Sequence, residues 1–147
     1  MKKILIPVDF SEYTEKIIEE GKKMAQAFNS DIVLLYIVNE NIGEYHCNTE
    51  SKKESLLEPF LEHERKQAEE DMKKWGASLS GVNGEVETVV LSGSVTDEIL
   101  KYINETDIDF VLMGSHGMGS TFYRTLVGSI ANSVIHHSEK PVLLIKC

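Results

Sequence analysis

Apolar residues in this chain alternate between two spacings, short unbroken runs and stripes at intervals of three and four, and the alternation continues to the last residues. The first run covers residues 3–8 and reads as a strand. Ser11 stands where a helix N-cap is expected, ahead of a stripe of Ile17, Ile18, Gly21, Met24, Ala25 and Phe28. Asn29 and Ser30 end that helix, and residues 32–38 are almost continuously apolar, as expected for a strand covered on both faces. Residues 39–58 turn polar, with Gly43 and His46 among Glu, Lys and Ser, and read as a loop or an irregular helical start. Glu58 and Pro59 suit the first turn of a helix, where the missing proline N–H does no harm, and Leu61, Ala68, Met72, Trp75 and Leu79 form its single apolar face. Gly81 and Gly84 bracket the turn into a third strand over residues 86–91. Ser94 to Asp97 looks like a capping box, followed by Val95, Ile99, Tyr102 and Ile103 facing inward. Residues 109–113 read as a buried strand, and Tyr123, Leu126, Val127, Ile130 and Val134 as a helical stripe starting at Phe122 or Tyr123. Pro141 starts a last strand over residues 142–145.

Strand and helix in strict alternation predict an α/β fold with a parallel sheet. With 147 residues, 41% hydrophobic and 27% charged, the chain has the size of one compact domain spanning residues 1–147, and it shows no internal repeat or linker. Its apolar runs are far shorter than the roughly 20 residues that span a bilayer, and the start lacks a signal-peptide pattern, so a soluble, cytoplasmic protein is expected. Cys47 and Cys147 lack C-x-x-C spacing, which argues against a disulfide scaffold or a structural zinc site. The formal net charge of −9 argues against nucleic acid and anionic membranes as partners, since both gain affinity from clustered Lys and Arg.

The same charge constrains the most informative stretch, Gly114-Ser115-His116-Gly117 followed by Gly128-Ser129. Glycines and a hydroxyl between a strand and a helix let backbone N–H groups approach a phosphate at the positive end of the helix dipole. Arg124 is the only cationic side chain between Gly114 and Gly128, so a bound nucleotide is expected to rely on backbone donors and a divalent cation. Gly114, Gly117, Gly119 and Gly128 are four of only ten glycines. Gly128 falls inside the predicted helical stripe, where glycine is unfavourable by about 1 kcal/mol, which suggests close approach by a ligand or by a neighbouring strand.

At the end of the first strand, Pro7-Val8-Asp9-Phe10-Ser11 lies on the edge where open α/β sheets bind ligands when strand order reverses. Asp9 reads equally as an acceptor for ribose hydroxyls or metal-bound water, and as a local partner of backbone N–H groups at the helix start. No G-x-G-x-x-G follows the first strand and no G-x-x-x-x-G-K-[ST] exists, so hydride transfer and P-loop chemistry are unsupported. His116 has no orienting carboxylate nearby in sequence, and the adjacent pairs His46-Cys47 and His136-His137 point to different faces, which makes poor metal clamps. The charged run over residues 62–74 reads as a solvated helix face, and Met72 and Trp75 as core.

Residues 4–11, the strand ending Leu35-Tyr36-Ile37-Val38, and Met113-Gly114-Ser115-His116-Gly117 with Gly128-Ser129 resemble the universal stress protein family over essentially the whole chain. The most specific part is the pattern Gly, two residues, Gly, nine residues, Gly, then Ser or Thr, which marks that family's ATP-binding branch. The resemblance implies a five-stranded parallel sheet in the order 3-2-1-4-5 with helices on both faces. It also implies a homodimer through the last strand, here Val142, Leu143, Leu144 and Ile145, an apolar edge that is otherwise a pairing hazard. Carried over residue by residue, Asp9 meets the ribose and Ile37 offers backbone atoms to adenine. Gly114 and Gly117, in the loop that includes Ser115 and His116, line the ribose and phosphates. Gly128 and Ser129 bind the outer phosphates, while Pro7, Val8, Met113 and Ile130 complete the walls. The ligand implied is ATP, or AMP or ADP, with Mg²⁺ held through the phosphates.

One departure stands out, because ten residues separate Gly117 from Gly128 where the family pattern has nine. A bulge at Gly119-Ser120 preserves the register of Gly128-Ser129, whereas a helix starting one residue out of phase turns Ser129 by about 100°. The phase of the stripe from Tyr123 to Val134 favours the bulge. The leading expectation is a dimeric, nucleotide-dependent sensor or switch in a stress response, with an unidentified protein partner and at most slow or partner-dependent ATP hydrolysis. Two alternatives stay open. One is an interaction module that has lost its nucleotide and works through its dimer and acidic surfaces; the other is an enzyme of the strand-end crevice using His116 and Asp9.

Overall fold

The computed structural model describes residues 3–40, 50–117 and 127–147. The expectations for Gly43, His46, Cys47, Gly119, Ser120, Tyr123, Arg124 and Leu126 fall outside these residues. Among the described residues nine elements alternate: β1 (Lys3–Pro7), α1 (Thr14–Phe28), β2 (Asp31–Asn39), α2 (Glu50–Ser78), β3 (Val86–Gly93), α3 (Val95–Glu105), β4 (Phe110–Gly114), α4 (Ser129–His137) and β5 (Val142–Ile145). All strand pairs are parallel, in the order β3-β2-β1-β4-β5. Ile4 sits between Ile32 and Phe110, and Leu5 between Val33 and Val111.

Strand periodicity divides the core into two layers. Ile4, Ile6, Ile32, Leu34, Phe110 and Leu112 face one side with Ile17, Ile18 and Ala25 of α1, Met72 of α2, and Leu79. Leu5, Val33, Leu35, Ile37, Val111 and Met113 face the other with Ile99 and Ile103 of α3 and Ala131 and Val134 of α4. Most of these side chains are fully buried, and each one larger than alanine contributes about 1.5–3 kcal/mol. Helices on both faces explain why the central strands read as unbroken apolar runs. No described helix is long and apolar enough to cross a membrane.

Several local expectations need correction. Pro59 lies inside α2 rather than in its first turn. Glu58, Pro59 and Phe60 are exposed, and the proline ring removes one intrahelical hydrogen bond there. Ser11 does not cap α1, which starts at Thr14 after Tyr13; its Oγ accepts the Tyr13 N–H at 3.3 Å in the preceding turn. Ser94 does precede α3 but makes no side-chain cap bond; its carbonyl takes the Glu98 N–H at 2.9 Å. Phe28 closes the α1 stripe in sequence yet is 50% exposed, at the end of the helix where Asn29 takes φ +51°. Gly128 is the N-cap of α4, not an interior residue, with extended backbone at φ −59° and ψ 156°.

The turn into β3 closes tightly on the start of β2. The Asp31 carboxylate accepts the Glu85 N–H at 2.8 Å, and a Cβ on Gly84 overlaps the Ser30 carbonyl. Gly84→Ala is therefore expected to lower stability by about 1–3 kcal/mol in urea unfolding, the range for overpacking a tight contact. An unchanged midpoint would show that this turn yields freely.

Candidate functional site

The chain crosses over in opposite directions from β1 and from β4, so their carboxyl ends part and leave a crevice. A cavity of about 320 Å³ opens there, at the small end of the range for ligand pockets. Pro7, Val8 and Asp9 enter it from the end of β1, and Ile37 from β2. Met113, Gly114, Ser115, His116 and Gly117 follow from β4, and Gly128, Ser129 and Ile130 from the start of α4. All twelve positions singled out in the sequence thus surround one space. The residues that absorb the tenth position between Gly117 and Gly128 lie outside those described, yet Gly128 and Ser129 reach the cavity.

Ile17, Tyr36, Asn39, Val95, Ile99 and Ala131 also line it and were not foreseen as site residues. Val95 and Ile99 carry the same three-and-four spacing as core positions, which conceals a cavity wall inside a helix stripe. Tyr36 and Asn39 flank Ile37 near the end of β2, and that adjacency was the available signal.

The two carboxylate oxygens of Asp9 face different neighbours. Oδ1 accepts the Ser11 N–H at 3.0 Å, closing a turn at the helix start. Oδ2 lies against Gly117 across the crevice, so close that a Cβ on Gly117 overlaps it. Between Asp9 and Ser11, Phe10 has φ +57° and its ring stacks on Tyr36 with centroids 4.3 Å apart. Burial, and next the carboxylates of Glu64, Asp9 and Asp71, hold the Tyr36 hydroxyl above the ordinary tyrosine range.

Opposite Asp9, Ser115 ties three segments together and is itself buried. Its N–H donates to Ile145 O at 2.9 Å and its carbonyl accepts the Gly128 N–H at 2.7 Å. Its Oγ accepts the Cys147 N–H at 3.2 Å and lies 3.0 Å from His116 Nδ1. The close approach at Gly128 is thus to backbone: a Cβ there stands 3.2 Å from Ser115 O. Gly114 is crowded by Ile17 Cδ1 at 2.6 Å and Cys147 Sγ at 3.2 Å from an added Cβ.

Intrahelical bonding in α4 begins with the Asn132 N–H on Gly128 O at 2.9 Å, so the N–H groups of Ser129, Ile130 and Ala131 have no intrahelical acceptor and belong to residues lining the cavity. Asp9 is the only formally charged group among the described lining residues, with His neutral. Among the described residues no group of three or more His, Cys, Asp and Glu side chains is placed to hold a metal. His136 and His137 each bond through Nδ1 to the carbonyl four residues back, at 2.7 and 2.9 Å, and do not converge. The crevice therefore offers a carboxylate acceptor on one wall, backbone donors on the other and apolar side chains between. A ligand with a flat apolar end, hydroxyl groups and an anionic tail matches that arrangement.

Comparisons with known proteins agree on kinship. The model of the Universal stress protein family matches residues 1–146. Universal stress protein MJ0577 of Methanocaldococcus jannaschii is 31% identical in an alignment covering 99% of this chain and 94% of that protein. Its solved structure superposes with a TM-score of 0.85, at 28% identity over 99% of this chain and 96% of that one. UspA from Lactobacillus plantarum gives a TM-score of 0.85 at 23% identity, covering 98% and 97% of the two chains. A universal stress protein from Archaeoglobus fulgidus, solved in complex with dAMP, gives 0.66 at 19% identity, covering 99% and 98%.

Removing the Ser115 hydroxyl leaves the Cys147 N–H and His116 Nδ1 without that partner. Ser115→Ala is expected to destabilise the protein by about 1–3 kcal/mol in urea unfolding, as for a buried hydrogen-bond partner withdrawn. An unaltered unfolding midpoint would mean that the hydroxyl does not hold the loop to β5.

Proposed function

The chain belongs to the universal stress protein family, and on that premise we propose that it binds an adenine nucleotide in the strand-end cavity and works as a dimeric, nucleotide-dependent switch in a cytoplasmic stress response. The observation that carries this reading is the opposition of the Asp9 carboxylate to the first turn of α4 across Gly117. A carboxylate suits ribose hydroxyls, and unpaired N–H groups at a helix start suit phosphate oxygens. Val8, Ile37, Val95, Ile99 and Met113 supply an apolar wall for a purine, and Ile37 supplies backbone atoms. The dAMP complex of the A. fulgidus relative is an instance of an adenine nucleotide held by a protein of this fold.

A chain of net charge −9 with a carboxylate in its cavity repels a triphosphate. Mg²⁺ offsets that repulsion through the phosphates, with Asp9 the one carboxylate among the described lining residues. In this reading the protein holds nucleotide, and any hydrolysis is slow or depends on a partner. The dimer forms through β5, an edge strand on which Leu143 is 41% exposed, with Ile135 of α4 40% exposed. Ser115 bonds to both β5 and the N-cap of α4, which gives nucleotide occupancy a route to that edge.

Gly117→Val drives a side chain into the Asp9 carboxylate and the cavity. It is expected to weaken Mg-ATP binding in calorimetric titration by about tenfold or more, as for a displaced charged hydrogen-bond acceptor, while the protein stays folded. Wild-type affinity in this variant would remove nucleotide from the site. Leu143→Lys places a charge on the proposed dimer strand; sedimentation is expected to show a dimer for the native protein and a monomer for the variant. Identical sedimentation of the two would dismiss β5 as the interface.

A further inference from the structure

Two described non-glycine residues have positive φ. Asn29 ends α1, where asparagine in a left-handed conformation is common. Phe10 is different: a bulky side chain at φ +57° is strained, and strain of this kind persists only where the surroundings enforce it. The Phe10 ring lies on Tyr36 with centroids 4.3 Å apart and planes inclined by 21°, and both rings pack on the core layer of Ile4, Ile6 and Leu34.

The consequence falls on the preceding residue. With residue 10 turned into the left-handed region, the Ser11 N–H comes back to Asp9 Oδ1 at 3.0 Å, and Oδ2 is left facing Gly117. Val8 is fixed in the same stretch by its N–H bond to Leu35 O at 2.9 Å, so Phe10 is the hinge of the segment that carries the carboxylate. We propose that Phe10 and Tyr36 are positioning residues: their stack holds residue 10 in its left-handed conformation, and that conformation aims the Asp9 carboxylate at the hydroxyls of a bound ribose. The ligand in this inference rests on the adenine-nucleotide reading above, whereas the geometry stands without it.

Phe10→Ala and Phe10→Gly both delete the ring, but only alanine is disfavoured at positive φ. Two readouts apply: exchange of the Ser11 amide in ligand-free protein, followed by NMR, and the ratio of Kd values for Mg-2′,3′-dideoxy-ATP and Mg-ATP. The native ratio is expected to be about tenfold or more, as for a hydrogen bond to a charged group. In Phe10→Ala the ratio falls below about threefold and the Ser11 amide exchanges about tenfold faster, while Phe10→Gly stays within about threefold of the native protein in both. A packing role alone shifts the two variants equally, because both lose the ring. Native values in Phe10→Ala, or a glycine variant that fails with the alanine one, would overturn the proposal. A native protein that binds both nucleotides equally, or neither, removes the ribose contact from Asp9; Ser11 exchange then still decides whether the stack positions the carboxylate.

Discussion

The parallel pairing of β1 with β4 is the constraint from which the rest of this structure follows. It places the first strand beside the fourth instead of between neighbours in sequence, with Ile4 opposite Phe110 and Leu5 opposite Val111. The crossovers must then run outward on both sides, carrying α1 and α2 to one face and α3 and α4 to the other. A crevice at the carboxyl ends of the two central strands is the unavoidable result. It exists because of topology, before any side chain in it is specified.

The side chains then give the crevice its polarity. Gly117 has no space for a Cβ because the Asp9 carboxylate occupies it, and Gly128 brings the start of α4 onto the Ser115 carbonyl. Those two approaches set an acceptor against a group of donors. Ser115 joins this arrangement to Ile145 of the last strand and to Cys147 just beyond it, so the glycine loop and the sheet edge share hydrogen bonds. The strain at Phe10 sits beside this arrangement, where the stack on Tyr36 is proposed to hold the Asp9 carboxylate in place.

Much of this was legible in the chain. Strands covered on both faces leave unbroken apolar runs, so β1, β2, β4 and β5 could be placed within one or two residues. The strand order, and Ile37, Met113 and Ile130 as cavity positions, came from the family resemblance, whereas residues 7–9, the loop of residues 114–117 and Gly128-Ser129 were marked by residue type at predicted strand and helix ends. The misses share a physical origin. The apolar stripe continues upstream through Val127, and periodicity does not register a cap, so Gly128 was placed inside a helix that starts after it. Pro59 looked like a helix start because proline suits a first turn, yet α2 runs through it from Glu50. Phe10 gave no sign of its positive φ or of its stack on Tyr36, a residue 26 positions away. Cys147 looked incidental, yet its N–H and thiol sit against the glycine loop.

The central claim is that this crevice holds an adenine nucleotide despite the longer spacing between Gly117 and Gly128. The most direct measurement is to denature freshly purified protein, identify any released nucleotide by liquid chromatography and mass spectrometry, and count moles per subunit. A near-stoichiometric adenine nucleotide is the expected result. A protein that emerges empty and also fails to bind added Mg-ATP would contradict it, and would leave a family member acting through its surfaces alone.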